Sequence, residues 1–372
     1  MIPLFRPSIS SKAIKDVANI IKSGQIAFSQ GGPRVRELEE KFAEYIGCRY
    51  AVAVNSGSAA LYLALETSTL YKTVIVPLGE VILPSLTFVA TAHAVAACGG
   101  KPVFVDIDED TLNMSIEDLK RKITPWTKGI IPVHFAGRSC NNDEILKIAS
   151  EHGLWVIDDC SHAHGSTYYG KKIGSFFNRG CFSLHPVKPV CSLGGGIITF
   201  NELSDLKEIL ETLRFCGVDS RTREGPFYDV RALGWNCYMT EPSAAVALDS
   251  LSRLDAEAEK RRQIARLYCE SFRDIEGVEV LPYDPESTYH LFVLKLERRR
   301  DEFIQYMRGR GVETGIHYAR GCHQYSYYKD PKISLPVTER VVQQLVSIPI
   351  YSGLKQDESE HIIKQARIFI GG

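Results

Sequence analysis

An α/β fold is what this sequence predicts: a mostly parallel central sheet covered by helices, followed by a smaller α+β domain. Three observations carry the prediction. Short β-rich runs alternate with helix-periodic stretches through roughly the first 200 residues, an alternation that builds parallel sheets with helical crossovers. After about residue 240 the pattern changes to one long helical stretch followed by a few strands and helices. The chain's 372 residues also exceed what one ordinary hydrophobic core organises. The expected division is a large domain over residues 1–250 and a small one over residues 251–372.

In chain order, Val35, Leu38, Phe42, Tyr45 and Ile46 recur at helical spacing. Strands are expected at Tyr50 to Val54, Thr73 to Pro77, Val81 to Pro84, Pro102 to Asp106, Gly129 to His134, Leu154 to Asp158, Cys181 to Leu184 and Gly196 to Phe200. Helices are expected at Ala59 to Glu66, Phe88 to Cys98, Ser115 to Lys122, Asn142 to His152 and Leu203 to Phe215. Gly217 to Asp229, rich in charge and glycine, has no period and reads as a loop that covers a site or marks mobility. Beyond it the pattern gives a long helix from Glu241 to Phe272 and strands at Val278 to Leu281 and His290 to Leu296. Helices near 301–309, 337–345 and 357–369 complete it.

Lys and Arg number 44 against 45 Asp and Glu, so a net charge of −1 gives no electrostatic reason to expect nucleic acid or an anionic membrane surface. The opening MIPLFRPSIS has no basic segment leading into an apolar run, and Phe88 to Cys98 is too short to span a bilayer; a cytoplasmic protein is expected. Ten cysteines stand singly, with no Cys-x-x-Cys pair or His–Cys cluster at zinc spacing, so neither a disulfide framework nor a metal site is expected.

Ligands of open α/β sheets bind beyond the carboxyl ends of the strands, which directs attention to three places. In "AVAVNSGSAALYLAL" a strand stops at Asn55-Ser56-Gly57-Ser58 and a helix begins at once; its free N–H groups suit a phosphate, and equally the serine is an ordinary N-cap. In "LWVIDDCSHAHG", Asp158, Asp159, His162 and His164 follow a buried-looking strand. A carboxylate there is a metal ligand, a general base, the partner of a cationic heterocycle, or a cap of the next turn. In "CFSLHPVKPVCSLGGGIITF" one cation, Lys188, stands between prolines among Phe182, Leu184, Val187 and Val190. Most lysines are solvated, but an amine desolvated by such neighbours has the lowered pKa that Schiff-base chemistry needs. A phosphate cradle, a strand-end acid and a buried lysine together suit pyridoxal phosphate.

At these residues the chain resembles the sugar aminotransferases of the DegT/StrS family, pyridoxal-phosphate enzymes of the aspartate-aminotransferase-like fold type I. The likeness runs through "PLFRPSIS", "SGQIAFSQGGPRVRELEEKFAEYIG", "YAVAVNSGSAALYLAL", "VILPSLTFVATAHAV", "PVFVDID", "IIPVHFAGRSC", "VIDDCSHAHGSTYYGKKIGSF", "CFSLHPVK", "GWNCYMTEPSAA" and "GIHY". The resemblance implies a Schiff base on Lys188 and Asp159 as partner of the ring nitrogen, with Asp158 where the family usually has Glu. It places His162 near the phenolic oxygen, Phe88 on the ring face, and Gly57, Ser58 and Ser183 on the phosphate. Asn236 matches an asparagine that reaches the phosphate from a neighbouring subunit, implying a homodimer with a shared active site. Gly194 to Gly196 replace the usual "GEGG", and Tyr238 replaces the arginine of "NYRM".

The expected activity is transfer of an amino group from an amino acid, taken as glutamate, to a 3- or 4-keto nucleotide sugar, with pyridoxamine phosphate as the intermediate form of the cofactor. Aminosugars made this way enter surface polysaccharides, glycans or secondary metabolites. His317, Tyr318 and His323 are either sugar or nucleotide contacts or members of an aromatic strand packed in the small domain. The alternatives are a sugar dehydratase of the same superfamily, which carries His in place of the lysine, and a cofactor-binding regulator without turnover. Retention of Lys188 and Asp159 favours transamination.

Overall fold

The computed structural model describes residues 1–71, 74–75, 78–202, 204–224 and 227–371; Thr73, Val76 and Pro77 of one expected strand, Leu203 of an expected helix, and Gly225 and Pro226 of the expected loop lie outside them. Seven strands form the main sheet: β1 (Tyr50–Val54), β2 (Glu80–Pro84), β3 (Lys101–Val105), β4 (Thr127–Ile130), β5 (Trp155–Asp159), β6 (Arg179–Ser183) and β7 (Gly196–Phe200), in the order β1-β7-β6-β5-β4-β2-β3. From β6 to β3 every pairing is parallel, whereas β7 runs antiparallel to both its neighbours. The sheet is mostly parallel, as expected. β4 stops at Ile130 rather than reaching His134, because Pro132 has no N–H for the ladder; its carbonyl still accepts from Asp159 N at 2.9 Å.

The helices are α1 (Ser11–Ser23), α2 (Pro33–Ile46), α3 (Gly57–Thr69), α4 (Ala90–Ala97), α5 (Ile116–Lys122), α6 (Asn142–His152), α7 (Ser204–Leu213), α8 (Glu241–Phe272), α9 (Arg300–Gly309), α10 (Pro336–Val341) and α11 (Gln356–Ile370). Successive strand residues face opposite sides, and β1 shows the consequence: Val52 and Val54 join the core under α3, α4 and α7, while Ala51 and Ala53 join the core under α2 and the first half of α8. Arg214, on the chain just after α7, crosses between these layers. Its guanidinium pairs with Glu39 at 2.6 Å, both side chains being buried, and also donates to the carbonyls of Ala53 (3.0 Å) and Gln30 (2.8 Å).

α1 was not anticipated, although Ile14, Val17, Ile20 and Ile21 recur at helical spacing in its sequence; of its residues only Ala13 is buried. Its ends carry signals as well: Ser10 Oγ accepts from Ala13 N at 3.1 Å, and Gly24 closes the helix with φ 72°. α2 begins at Gly32 and Pro33, and the Glu241 carboxylate caps it through the N–H groups of Arg34 (2.9 Å) and Val35 (3.1 Å). A side chain at position 32 would collide with that carboxylate, since a Cβ there would lie 2.6 Å from Glu241 Cδ.

The expected loop after Gly217 is instead a two-stranded antiparallel hairpin, β8 (Val218–Glu224) and β9 (Phe227–Val230). Val218 lies opposite Val230, Asp219 opposite Asp229 and Glu224 opposite Phe227; the run VDSRTRE of β8 holds no apolar alternation to read, and Phe227, Tyr228 and Val230 are exposed. The C-terminal part carries an antiparallel sheet in the order β10 (Val278–Val280), β11 (Phe292–Leu296), β12 (Leu345–Ile348). The helix expected to 345 ends at Val341, because Leu345, Val346 and Ile348 pair with β11. α8 belongs to both cores: Ala244, Ala247, Leu251 and Leu254 pack with the main sheet, and Ala265, Tyr268, Cys269 and Phe272 with the small one. Among the described residues, no helix is long and apolar enough to cross a membrane.

Candidate active site

A cavity of about 490 Å³ lies where the carboxyl ends of β5 and β6 meet the start of α3. α3 is apolar nearly all round and buried, so its N-terminus is held in the interior beside the sheet. The first N–H groups of a helix lack acceptors within it. Ser56 satisfies one of them, its Oγ accepting from Ala59 N (3.1 Å), while its carbonyl takes the first helical bond from Ala60 N (3.0 Å), and Gly57 and Ser58 line the cavity. Gly57 is pressed against Ser183 at the end of β6, where an added Cβ would lie 2.6 Å from Ser183 Cβ.

Asp159, the last residue of β5, is buried at the cavity wall. Its Oδ2 accepts from Thr91 Oγ1 at 2.9 Å and its Oδ1 from Ser161 N at 3.0 Å. A hydroxyl has one proton, so with Thr91 donating to Asp159 the 2.9 Å contact between Thr87 and Thr91 makes Thr87 the donor to Thr91. Asp158 points to the other face of the strand, fully buried beside His134 at 3.3 Å. His134, Asp158 and Cys160 come together as potential metal ligands. However, His134 Nδ1 accepts from Cys140 N at 3.1 Å, so Nε2 carries the proton and donates to Asp158; the lone pair a metal needs is absent.

Lys188 follows β6 in a turn closed by its own N–H donating to His185 O at 2.9 Å, with Pro186 and Pro189 unable to extend a ladder. Its Nζ lies 3.3 Å from His290 Nε2, at the wall of the same cavity. Burial lowers the Lys188 pKa to about 8, and the negative charge of Asp159 opposes the drop. The surrounding histidines are held neutral. His162 and His290 fall well below the ordinary value through burial and then the Lys188 charge; the same two causes bring His164 to about 3 and His317 to about 4. An amine at the edge of protonation therefore sits among neutral imidazoles and close to one fixed carboxylate.

The structure thus brings Gly57, Ser58, Phe88, Asp159, His162, Ser183, Lys188, His317 and Tyr318 to one cavity. Phe88 is 58% exposed at its wall, 6.2 Å from the Tyr318 ring, and Tyr318 Oη approaches His162 Nε2 at 3.4 Å. Asn236 and His323 are not among the lining residues. Asn236 is exposed, its carbonyl accepting from Asn55 Nδ2 at 3.2 Å, whereas His323 is buried between Ser85 Oγ (2.6 Å) and Glu339 (3.2 Å). Sequence reasoning missed Thr91, His290 and Phe5. Thr91 lies one helical turn beyond Phe88 in the same stretch, a spacing that would have pointed to it. His290, 102 residues from Lys188, carries no local signal.

Comparison with known proteins places these features in a lineage. Residues 7–367 match the pattern of the DegT/DnrJ/EryC1/StrS aminotransferase family. The chain is 32% identical to the spore coat polysaccharide biosynthesis protein SpsC of Bacillus subtilis, over 100% of this chain and 97% of that one. It superposes on Helicobacter pylori PseC, an aminotransferase involved in the biosynthesis of pseudoaminic acid, with a TM-score of 0.91 at 26% identity, covering 99% of this chain and 98% of that one. The sugar aminotransferase CalS13 from Micromonospora echinospora gives 0.91 at 28% identity, covering 99% and 100%. The chain belongs to the DegT/DnrJ/EryC1/StrS aminotransferase family and is a pyridoxal-phosphate-dependent sugar aminotransferase of fold type I.

Proposed function

We propose that this enzyme transfers the amino group of glutamate to a 3- or 4-keto sugar carried on a nucleotide, with the cofactor held at Lys188. The observation that carries the reading is the pairing of one partly buried amine, Lys188, with one carboxylate, Asp159, fixed by two hydrogen bonds in the same cavity. The roles of SpsC and PseC, in spore coat polysaccharide and in pseudoaminic acid biosynthesis, support an aminosugar destined for a surface glycan or a related product.

The residues fit pyridoxal phosphate. The cavity has the size of a cofactor site, and a side chain at Gly57 would fill the cradle between α3 and Ser183. When bound, pyridoxal phosphate supplies an aldehyde carbon that joins amine nitrogens and a ring that takes up an electron pair. Gly57, Ser58 and the Ser183 hydroxyl hold the phosphate at the positive end of α3. Asp159 holds the proton on the ring nitrogen, Phe88 covers a ring face, and His162, neutral, faces the phenolic oxygen without adding charge. Lys188, with a pKa of about 8, has roughly a tenth of its amine free near neutral pH, so Nζ can both bind the aldehyde carbon and take or return a substrate proton. His317 and Tyr318 orient the sugar at the cavity wall.

Asn236, exposed and not lining this chain's cavity, serves the site of a second copy, and the exposed Phe227, Tyr228 and Val230 of the hairpin supply apolar surface for that homodimer. Ten free cysteines suit the reducing cytoplasm, where the enzyme is placed on this reading. Residues 1–250 and 251–372 act as its large and small domains.

Borohydride reduction of the purified protein followed by peptide mapping tests the reading. Label on Lys188 is expected; label on another lysine, or on none, overturns it. Incubation with glutamate and a panel of 3-keto and 4-keto nucleotide sugars, read by mass spectrometry, then identifies the acceptor.

A further inference from the structure

His290 enters the site from the small domain, two residues before β11, and is 4% exposed. Its ring is gripped from two directions. Phe5 stacks on it with centroids 5.6 Å apart and planes 18° apart, and the His162 ring lies 4.6 Å away. His162 is itself held, accepting from Ala136 N at 3.3 Å and meeting Tyr318 Oη at 3.4 Å. A ring fixed in this way presents Nε2 to Lys188 Nζ at 3.3 Å. Among the described residues, this imidazole is the hydrogen-bond partner of the amine, while Asp159 accepts from Thr91 and Ser161.

We propose that His290 is a positioning residue: its Nε2 accepts a hydrogen bond from the Lys188 ammonium whenever that amine is not covalently engaged, and so fixes where the amine waits between the two halves of the reaction. The inference rests on the reading of Lys188 as the reacting amine. An ammonium is a donor only, so His290 carries its own proton on Nδ1 and offers a lone pair at Nε2. Burial keeps His290 uncharged, which makes it a stable acceptor and a poor proton thief. The amine is thus held without being discharged. Such a holder matters because a lysine freed by an incoming amine has four rotatable bonds and loses reach when it wanders.

Other groups also act on this amine. Asp159 lies at the end of β5, His162 and His164 in the turn after it, His185 just before Lys188, and His317 on the small-domain side. A smaller cavity bordered by both Lys188 and His290 is walled by Arg6, Glu257 and Arg261. All of these remain in place when only His290 is replaced, so a change in the behaviour of Lys188 reports on the imidazole.

The test is competitive labelling of the full chain, freed of bound carbonyl compounds, with acetic anhydride over a range of pH, the extent at Lys188 being read by mass spectrometry. His290→Leu and His290→Phe both remove the acceptor, and the labelling midpoint of Lys188 is expected to fall by about one pH unit, since the charged form loses its hydrogen bond. His290→Gln retains an acceptor and is expected to stay near wild type. An unmoved midpoint in Leu and Phe, or a Gln variant that moves as far as they do, overturns the proposal. Borohydride mapping of the wild type is a separate readout: a shifted midpoint with no cofactor on Lys188 would keep the hydrogen bond and sink the proposed function, and the reverse result would do the opposite.

Discussion

Thr91 Oγ1 donates to Asp159 Oδ2 at 2.9 Å, tying the first turn of α4 to the end of β5. Because Thr87 donates in turn to Thr91, the carboxylate is oriented by a chain of two hydroxyls. Thr91→Val keeps the shape and removes the donor, and is expected to lower kcat/KM about tenfold with the fold intact, the value of one hydrogen bond to a charged group. Asp159→Ala removes the carboxylate itself, and a loss on the order of a thousandfold or more is expected. Steady-state kinetics on an identified acceptor checks both; a Thr91→Val enzyme as fast as wild type would show that Asp159 needs no such support.

Gly57→Ala places a methyl group 2.6 Å from Ser183 Cβ, where neither backbone can retreat without disturbing the cavity wall. Overpacking of this kind costs about 1–3 kcal/mol, and the strain falls on the residues proposed to hold the phosphate. Lower thermal stability together with weaker uptake of pyridoxal phosphate is expected, read by a melting curve and by absorbance titration.

The buried histidines give the protein an acid limit. His164 titrates at about 3 and His317 at about 4 in the folded chain, against 6.5 when unfolded. Between those values the unfolded chain binds more protons, so stability is whole above about pH 6.5 and is lost as pH falls through the window. The loss approaches about 1.4 kcal/mol per pH unit for each such group. His164 is the cleaner probe because it is fully buried and burial is the largest cause of its shift, the Ser183 backbone only partly opposing it. Urea denaturation at neutral pH and near pH 5 is expected to show a smaller drop for His164→Phe than for wild type; equal drops would mean that His164 is protonated in the fold.

Arg214→Met leaves the Glu39 carboxylate buried without its cation, and about 3–5 kcal/mol of destabilisation is expected. Adding Glu39→Gln should recover a good part of it, because the neutral amide can still accept from Ala53 N. Chemical denaturation of the single and double variants measures the coupling; no recovery would assign the loss to the carbonyl contacts of Arg214 instead.

How much of this was legible depends on where the physical signal lies. β1 and β7 were read to the residue, because short apolar runs with clear ends carry their own boundaries. α8 was equally plain from Glu241 to Phe272. The hairpin at Val218 to Val230 was not, since β8 is nearly all polar and its order comes from backbone pairing with β9 rather than from apolar alternation. β12 was not anticipated, the expected helix overlapping only its first residue, because a run as short as "LVSI" carries no period of its own and only pairing with β11 decides it. In the site, Lys188 and Asp159 stood out as charges at strand ends. His290 and Phe5 did not, because what distinguishes them is convergence in space, and nothing near them in the chain announces it.

The length of α8 has a mechanical corollary. One uninterrupted rod of 32 residues is built into both cores, so the enzyme has a strut where many two-part proteins have a swivel. His290, His317 and Tyr318 come from beyond its far end, and Lys188 and Asp159 from the layer at its near end. Fraying at the distal end would therefore slacken the grip on the lysine before any strand of the main sheet gives way, so that heat should quench turnover while most of the protein is still folded.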